Sequence, residues 1–207
     1  PANCCNGVLD AGLGELGVLG ISVTEEYGGY GMSLTAYCRV LEEICTTCGA
    51  TAVFVGGHAS IGTKALVLYG SEEQKQKYLP KIASGEWTAC YALTEPESWS
   101  DAQSMRSTAT PAGDGENFIL NGSKLWITNG AYADVFTIFA KVEGQEPNGI
   151  TCFVLERGMP GLIVGPGEHK MGLNGSATNP LTFENVKIPV GNVIGEIGQG
   201  FKYALNI

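Results

Sequence analysis

Tyr91-Ala-Leu-Thr-Glu-Pro-Glu-Ser-Trp-Ser-Asp101 and, some 25 residues on, Trp126-Ile-Thr-Asn-Gly130 decide how this chain reads. Both polar-and-aromatic runs fall on strand-like segments, where a buried sheet would carry aliphatics. Each offers backbone groups, a hydroxyl and a flat aromatic face. Those are the groups needed to hold a planar heteroaromatic ligand.

The period of the chain changes just before the first run. Ahead of it the pattern is helical. Ser33 is placed as an N-cap, and Leu34, Tyr37, Cys38, Leu41, Ile44, Cys45 and Cys48 follow as one apolar stripe. A second helix is expected over much of Thr51 to Tyr69, with Val53, Phe54, Ile61, Ala65 and Leu68 available for burial. Ser71-Glu-Glu-Gln74 opens a third as a capping box, closing at Leu79-Pro80.

From Trp87 the pattern is extended. Strands are expected at 87–94, 105–110, 135–141, 150–156, 162–164, 181–184 and 186–188. Residues 118–126 are expected as a hairpin about an Asn121-Gly122 turn. Turns separate these runs with no helices between them, so an antiparallel sheet or barrel is expected. Helix resumes after Gly200. The expected class is α+β, divided as a helical domain over 1–86, a β-domain over 87–199 and the start of a further helical domain over 200–207. An ending in mid-helix suggests a fragment.

Composition narrows the rest. At 207 residues, 44% hydrophobic, the chain can bury a core. Its formal charge of −9 and scattered basic residues disfavour nucleic acid and anionic membranes. No apolar run reaches the roughly 20 residues of a membrane span. Seven cysteines, an odd count, argue against a closed disulfide framework and for a reducing compartment. Cys45-Thr-Thr-Cys48 could hold zinc or form a redox pair, with Cys4, Cys5 and His58 as further candidate ligands. Its place in the buried stripe argues for packing instead. Gly12-Leu-Gly-Glu-Leu-Gly17 matches G-x-G-x-x-G but lacks the βαβ context, and reads as a glycine-rich helix end. His58 reads as a satisfied helix residue and His169 as an inert turn residue. Asn121-Gly-Ser and Asn174-Gly-Ser read as turns.

The two opening runs, written Tyr-x-Leu-Thr-Glu-Pro-x-x-x-Ser-Asp and Lys-x-Trp-Ile-Thr-Asn-Gly, resemble the acyl-CoA dehydrogenase family. So do Glu25-Glu-Tyr-Gly-Gly29, Gly70-Ser-Glu-Glu-Gln-Lys75, Leu79-Pro-Lys-Ile-Ala-Ser-Gly85, Lys170-Met-Gly-Leu173 and Val193-Ile-Gly195, in family order from about Gly14 to the last residue. Gly57-His-Ala-Ser-Ile-Gly62 and Gly200-Phe-Lys-Tyr-Ala204 look similar to the very-long-chain branch. The resemblance implies FAD as cofactor, between the β-domain and a C-terminal helical domain that this sequence lacks. It implies an acyl-CoA substrate, losing its α-hydrogen as a proton and its β-hydrogen as hydride to flavin N5. It also implies an electron-transfer flavoprotein as acceptor, a homodimer or homotetramer, and a mitochondrial matrix or bacterial cytoplasmic location.

Residue by residue, the resemblance puts Tyr91, Leu93, Thr94, Trp99, Ser100, Trp126, Ile127 and Thr128 at the flavin. Tyr91, Leu93 and Thr94 would meet the pyrimidine side, and Ser100 would also sit near the acyl chain. Trp126 would cover a ring face and Thr128 would donate near N5. No residue here matches the family's catalytic glutamate, and Glu95 is taken as structural. Three departures stand out. Trp99 replaces a glycine, Asn174 replaces a basic residue, and Asn179-Pro180 replaces a polar-acidic pair, which puts the loop before Leu181 in doubt. Two other functions fit the same runs: a flavin oxidase or monooxygenase of the same fold, and a non-catalytic scaffold whose flavin site Trp99 blocks.

Overall fold

A computed structural model describes residues 12–145 and 149–207. Helix α1 (Leu34–Thr47) starts where Ser33 accepts a hydrogen bond from the Ala36 amide. Helix α2 is continuous from Gly49 to Tyr69, with a π-helical stretch at Gly57–Gly62. Helix α3 (Glu72–Ser84) opens on the full Ser71/Gln74 capping box. It does not close at Pro80 but runs through it to Gly85, which takes the left-handed conformation at φ 78°. Pro80 lies on the exposed face, where the carbonyl left unpaired one turn earlier can reach water. The 12–17 glycine run is a helix end, with Gly17 at φ 74°. Val8, Leu9, Cys4 and Cys5 lie outside the described residues.

The strands are β1 (Ala89–Ala92), β2 (Thr108–Pro111), β3 (Asn117–Thr128), β4 (Val135–Val142), β5 (Ile150–Glu156), β6 (Leu162–Val164), β7 (Thr178–Pro189) and β8 (Val193–Ile194), followed by helix α4 (Gly200–Asn206). They form one sheet in the order β6-β7-β3-β2-β4-β5-β8, with β1 also on β4. The expectation of an antiparallel sheet needs correcting at β4, which β1 and β2 both meet in parallel. The loop between β1 and β2 carries the first of the two opening runs.

The expected hairpin at Asn121-Gly122 does not form. Strand β3 passes straight through, and Gly122 sits at φ 143° in a register shift against β7. A Cβ there would fall 2.4 Å from the Ser107 hydroxyl, so the glycine serves close approach of β2's leading segment rather than reversal of the chain. The 181–184 and 186–188 runs are likewise one strand, β7, and Thr178 to Pro180 belong to it rather than to a loop.

Alternation explains the layers. Phe136, Ile138 and Ala140 of β4 point into a core that the curled sheet encloses with Phe118, Phe153, Leu181 and Phe183. Val135 and Phe139 point the other way, onto Leu66, Tyr78, Leu79 and Ile82 of the helices. Strand β4 is therefore buried on both faces, which is why it reads as an unbroken apolar run.

His58 fastens the helical part to the sheet. It is fully buried, with Nε2 donating to the Ile82 carbonyl of α3 at 3.0 Å and Nδ1 accepting from the Ala89 amide of β1 at 3.1 Å. Helix α2, 21 residues long with mean hydropathy 1.2, does match a membrane span in length and composition, against the reading from sequence. It packs through Ala65 and Leu66 on the helix–sheet core and through Phe54 and Val55 on a second helical core, as a core helix does.

The apolar stripe of α1 is the largest miss of the helical reading. Only Tyr37 is buried; Leu34, Cys38 and Cys45 are exposed and Cys48 is half-buried. The stripe instead forms one wall of a groove.

Candidate functional site

The two opening runs meet in space, and hydrogen bonds hold them together. The Leu125 amide donates to the Thr94 carbonyl at 2.9 Å, and Lys124 Nζ donates to the Leu93 carbonyl at 3.1 Å. Lys124 also forms an ion pair with Glu95 at 2.7 Å, both side chains being almost wholly buried. Glu95 accepts from the Ser107 and Arg106 amides as well. Burial alone would raise the Glu95 pKa, but the Lys124 charge and these hydrogen bonds more than offset it and hold the carboxyl below its usual range. Burial lowers Lys124 to about 8, against the opposing pull of the Glu95 charge and hydrogen bond. A buried ion pair is the strut between the two segments. Sequence reasoning placed Glu95 as structural but missed its partner, which sits two residues before Trp126.

The bulge that presents Trp126 has a local cause. Lys124 pairs with Leu181 and Ile127 with Asn179, so Leu125 and Trp126 together face Pro180 alone. Pro180 has no N–H to give the ladder, and it stands where the ladder is interrupted. Trp126 takes φ 58° there, a conformation costing roughly 1–2 kcal/mol for a non-glycine residue. The result is an indole 42% exposed. Asn179 supports the turn beyond it, accepting from the Ala131 amide at 3.0 Å and donating to the Gly165 carbonyl at 2.9 Å. Arg157 donates to the Gly130, Ala131 and Ala133 carbonyls.

The eight candidate residues do not all present side chains to one surface. Trp99, 60% exposed, stands edge-to-face against Trp126 with ring centres 4.4 Å apart, its Nε1 donating to the Pro96 carbonyl. Thr94, Ser100 and Thr128 form no side-chain hydrogen bond among the described residues, leaving three hydroxyls uncommitted. Ile127 turns inward to the sheet core and is 2% exposed, so only its backbone can face a ligand. Tyr91 and Leu93 pack against the helix–sheet cluster that also gathers Phe201 and Ala204 of α4. The Tyr91 ring lies 5.2 Å from Phe139, and burial pushes its phenol pKa up.

Thr128 also lines the groove formed by α1 and α2. This space of about 550 Å³ is lined by Cys38, Leu41, Glu42, Cys45, Ala52, Val53, Gly56, Gly57, Ile61 and Thr128. It falls in the range of small-molecule sites, and its wall is almost wholly apolar. Gly57 opens the π-helical stretch, and a Cβ on it would meet Thr128 Cγ2 at 3.0 Å and Asn129 Nδ2 at 3.1 Å. The π geometry and the bare glycine together let the helix touch the Thr128 turn. Glu42, the one carboxylate in the wall, is exposed and paired with Arg39 at 2.9 Å.

Comparison with known proteins follows this anatomy. Residues 8–86 match the family profile acyl-CoA dehydrogenase, N-terminal domain, and residues 90–186 the profile acyl-CoA dehydrogenase, middle domain. The very long-chain specific acyl-CoA dehydrogenase, mitochondrial, of Macaca fascicularis is 48% identical over 202 residues, covering 95% of this chain and 31% of that protein. The chain thus spans about a third of that relative's length. A Bacillus anthracis acyl-CoA dehydrogenase solved with FAD superposes with TM-score 0.91 at 42% identity, covering 97% of this chain and 34% of that one. Butyryl-CoA dehydrogenase from Megasphaera elsdenii gives 0.92 at 36% identity, with 97% and 53% covered. Two adjoining profiles of one family account for nearly the whole chain, and the chain belongs to the acyl-CoA dehydrogenase family, of which it carries the N-terminal and middle domains.

Proposed function

We propose that the protein is an FAD-dependent acyl-CoA dehydrogenase and that residues 1–207 supply one side of its flavin and acyl sites. The observation that carries this reading is the company Thr128 keeps. Its side chain, with an uncommitted hydroxyl, lines an apolar groove two residues from an exposed tryptophan held in a strained bulge. That donor set fits a flavin, which needs a flat apolar cover and hydrogen-bond partners along one edge. A family relative from Bacillus anthracis solved with FAD supports it.

When bound, FAD supplies the two-electron acceptor. The chain's residues do the rest of the work on this side. Trp126 would cover a ring face, with Trp99 against it. Thr94, the Ile127 backbone and Thr128 would hold the ring edge, backed by Tyr91 and Leu93 from the helix–sheet cluster, and Ser100 would face both ring and substrate. A hydroxyl preorganised where negative charge develops lowers the barrier without reorganisation at the moment of reaction. The groove takes the acyl chain and excludes water, which strengthens those interactions. No carboxylate among residues 1–207 is assigned as the α-proton base; that role falls to the rest of the protein. The domain division of 1–86, 87–199 and 200–207 is part of the proposal. So are an acyl-CoA substrate, an electron-transfer flavoprotein as acceptor, a homodimer or homotetramer, and a mitochondrial matrix or bacterial cytoplasmic setting.

One observation favours a second reading. Trp99 packs onto Trp126 where the family carries a glycine, as a non-catalytic scaffold with a closed flavin site would require. Purification of the full-length protein and of Trp99→Gly, with flavin content read from absorbance, separates the two. The enzyme reading expects flavin in the wild-type protein, with Trp99→Gly raising occupancy if the indole crowds the ring. A colourless wild-type protein that gains flavin only on Trp99→Gly would support the scaffold.

A further inference from the structure

The buried-stripe argument that set aside Cys45-Thr-Thr-Cys48 as a redox pair does not survive the structure. Cys45 is exposed on the last turn of α1 and Cys48 is half-buried at the junction with α2. The turn between them is closed, the Cys48 amide donating to the Ile44 carbonyl at 2.9 Å. On such a turn, Cα atoms three residues apart lie about 5 Å from each other. A disulfide needs roughly 4.4–6.8 Å. Cys48 has already left the helical geometry of α1, at φ −149° and ψ 102°, so its side chain is not held in the helical turn that carries Cys45.

We infer that Cys45 and Cys48 are a reversible dithiol site, closing to an intramolecular disulfide on exchange with a small-molecule disulfide. Three features make Cys48 the attacking thiol. It is the N-cap residue of α2. The Thr51 hydroxyl, and after it the Thr51 amide, favour its thiolate and lower its pKa, although no full cap hydrogen bond forms. Cys45, one turn away and open to solvent, is placed to resolve the intermediate.

The Cys48 thiolate attacks one sulfur of the small disulfide, expelling the first small thiolate and leaving a mixed disulfide on Cys48. The Cys45 thiolate then attacks the Cys48 sulfur and expels the second. Two protein thiols are oxidised, one small disulfide is reduced to two thiols, and the protons released by the cysteines pass to the departing thiolates. Thiolate stabilisation at Cys48 favours the reduced state, so a thiol pool can reopen the bond. Closure withdraws the Cys45 thiol from the groove wall and fixes the corner at Gly49, where a Cβ would meet the Leu173 side chain at 3.3 Å.

The test uses the full-length protein, glutathione disulfide and tryptic mass mapping. Cleavage after Arg39 and Lys64 leaves Cys45 and Cys48 on one peptide and Cys38, equally exposed on α1, on another. The 40–64 peptide is expected to lose the mass of two hydrogens and carry no glutathione. In Cys45→Ser, glutathione should remain trapped on Cys48. Cys45 is solvent-exposed, so that variant is expected to fold, and circular dichroism checks it. A wild-type peptide that stays reduced, or that carries glutathione, would overturn the inference. So would a Cys45→Ser protein that traps nothing.

Discussion

Lys124 shows how much of this site rests on one side chain that touches no ligand. Replacing it with methionine keeps the bulk but leaves Glu95 buried without a cation, a change expected to destabilise by about 3–5 kcal/mol. Adding Glu95→Gln should recover much of the loss, which a chemical-denaturation double-mutant cycle measures. His58 makes an independent prediction with pH. Burial lowers its pKa from 6.5 to about 4, so between those values the unfolded chain binds a proton that the folded one does not. Stability is therefore intact above pH 6.5 and falls as pH drops through the window, by roughly 3 kcal/mol at pH 4. His58→Gln, whose amide cannot titrate, should flatten that limb of the stability curve. Glu95, whose pKa is depressed below 4.5, adds a further loss in the same direction at lower pH. The two runs that meet in space were conspicuous in sequence, because tryptophans and hydroxyls stand out among aliphatics. Their orientation was not: Ile127 shares the motif yet faces the core, since alternation along β3 resumes only past a bulge that the sequence does not announce.

At the scale of elements, caps and short uninterrupted strands were readable, whereas the two longest strands and the special backbone were not. The Ser33 cap, the Ser71 box, β5 and β6 lie where local chemistry puts them. Asn121-Gly122 failed as a turn because the approach of Ser107, a tertiary fact, sets the conformation of Gly122. Pro80 failed as a helix stop because exposure makes the missing hydrogen bond tolerable. The α1 stripe was correctly seen as apolar and wrongly assigned to the core, since periodicity reports an apolar face but not what covers it. Gly57→Ala tests the contact that joins α2 to Thr128. Two atoms lie 3.0–3.1 Å from the added methyl, so the helix or the turn must yield, at an expected cost of about 1–3 kcal/mol. The predicted signature is a loss of stability together with slower flavin reduction. Gly56→Ala, whose nearest contact is the Tyr37 hydroxyl at 3.6 Å, should leave stability unchanged.

Across the whole molecule, His58 and the Gly57–Thr128 contact join the helical layer to the curled sheet, while the buried Lys124–Glu95 strut ties the two site segments to each other within the β-part. Thr128 is the residue proposed to donate to the flavin beside the groove. Anaerobic single-turnover reduction of the full-length protein by an acyl-CoA, followed as flavin bleaching, tests this most directly when wild type is compared with Thr128→Val. Valine keeps the branched shape and the methyl that meets Gly57 while removing the hydroxyl. Bound flavin should be retained and its reduction slowed roughly tenfold to a hundredfold, about 1.4–3 kcal/mol of lost stabilisation. An unchanged reduction rate in a variant with full flavin content would contradict the account.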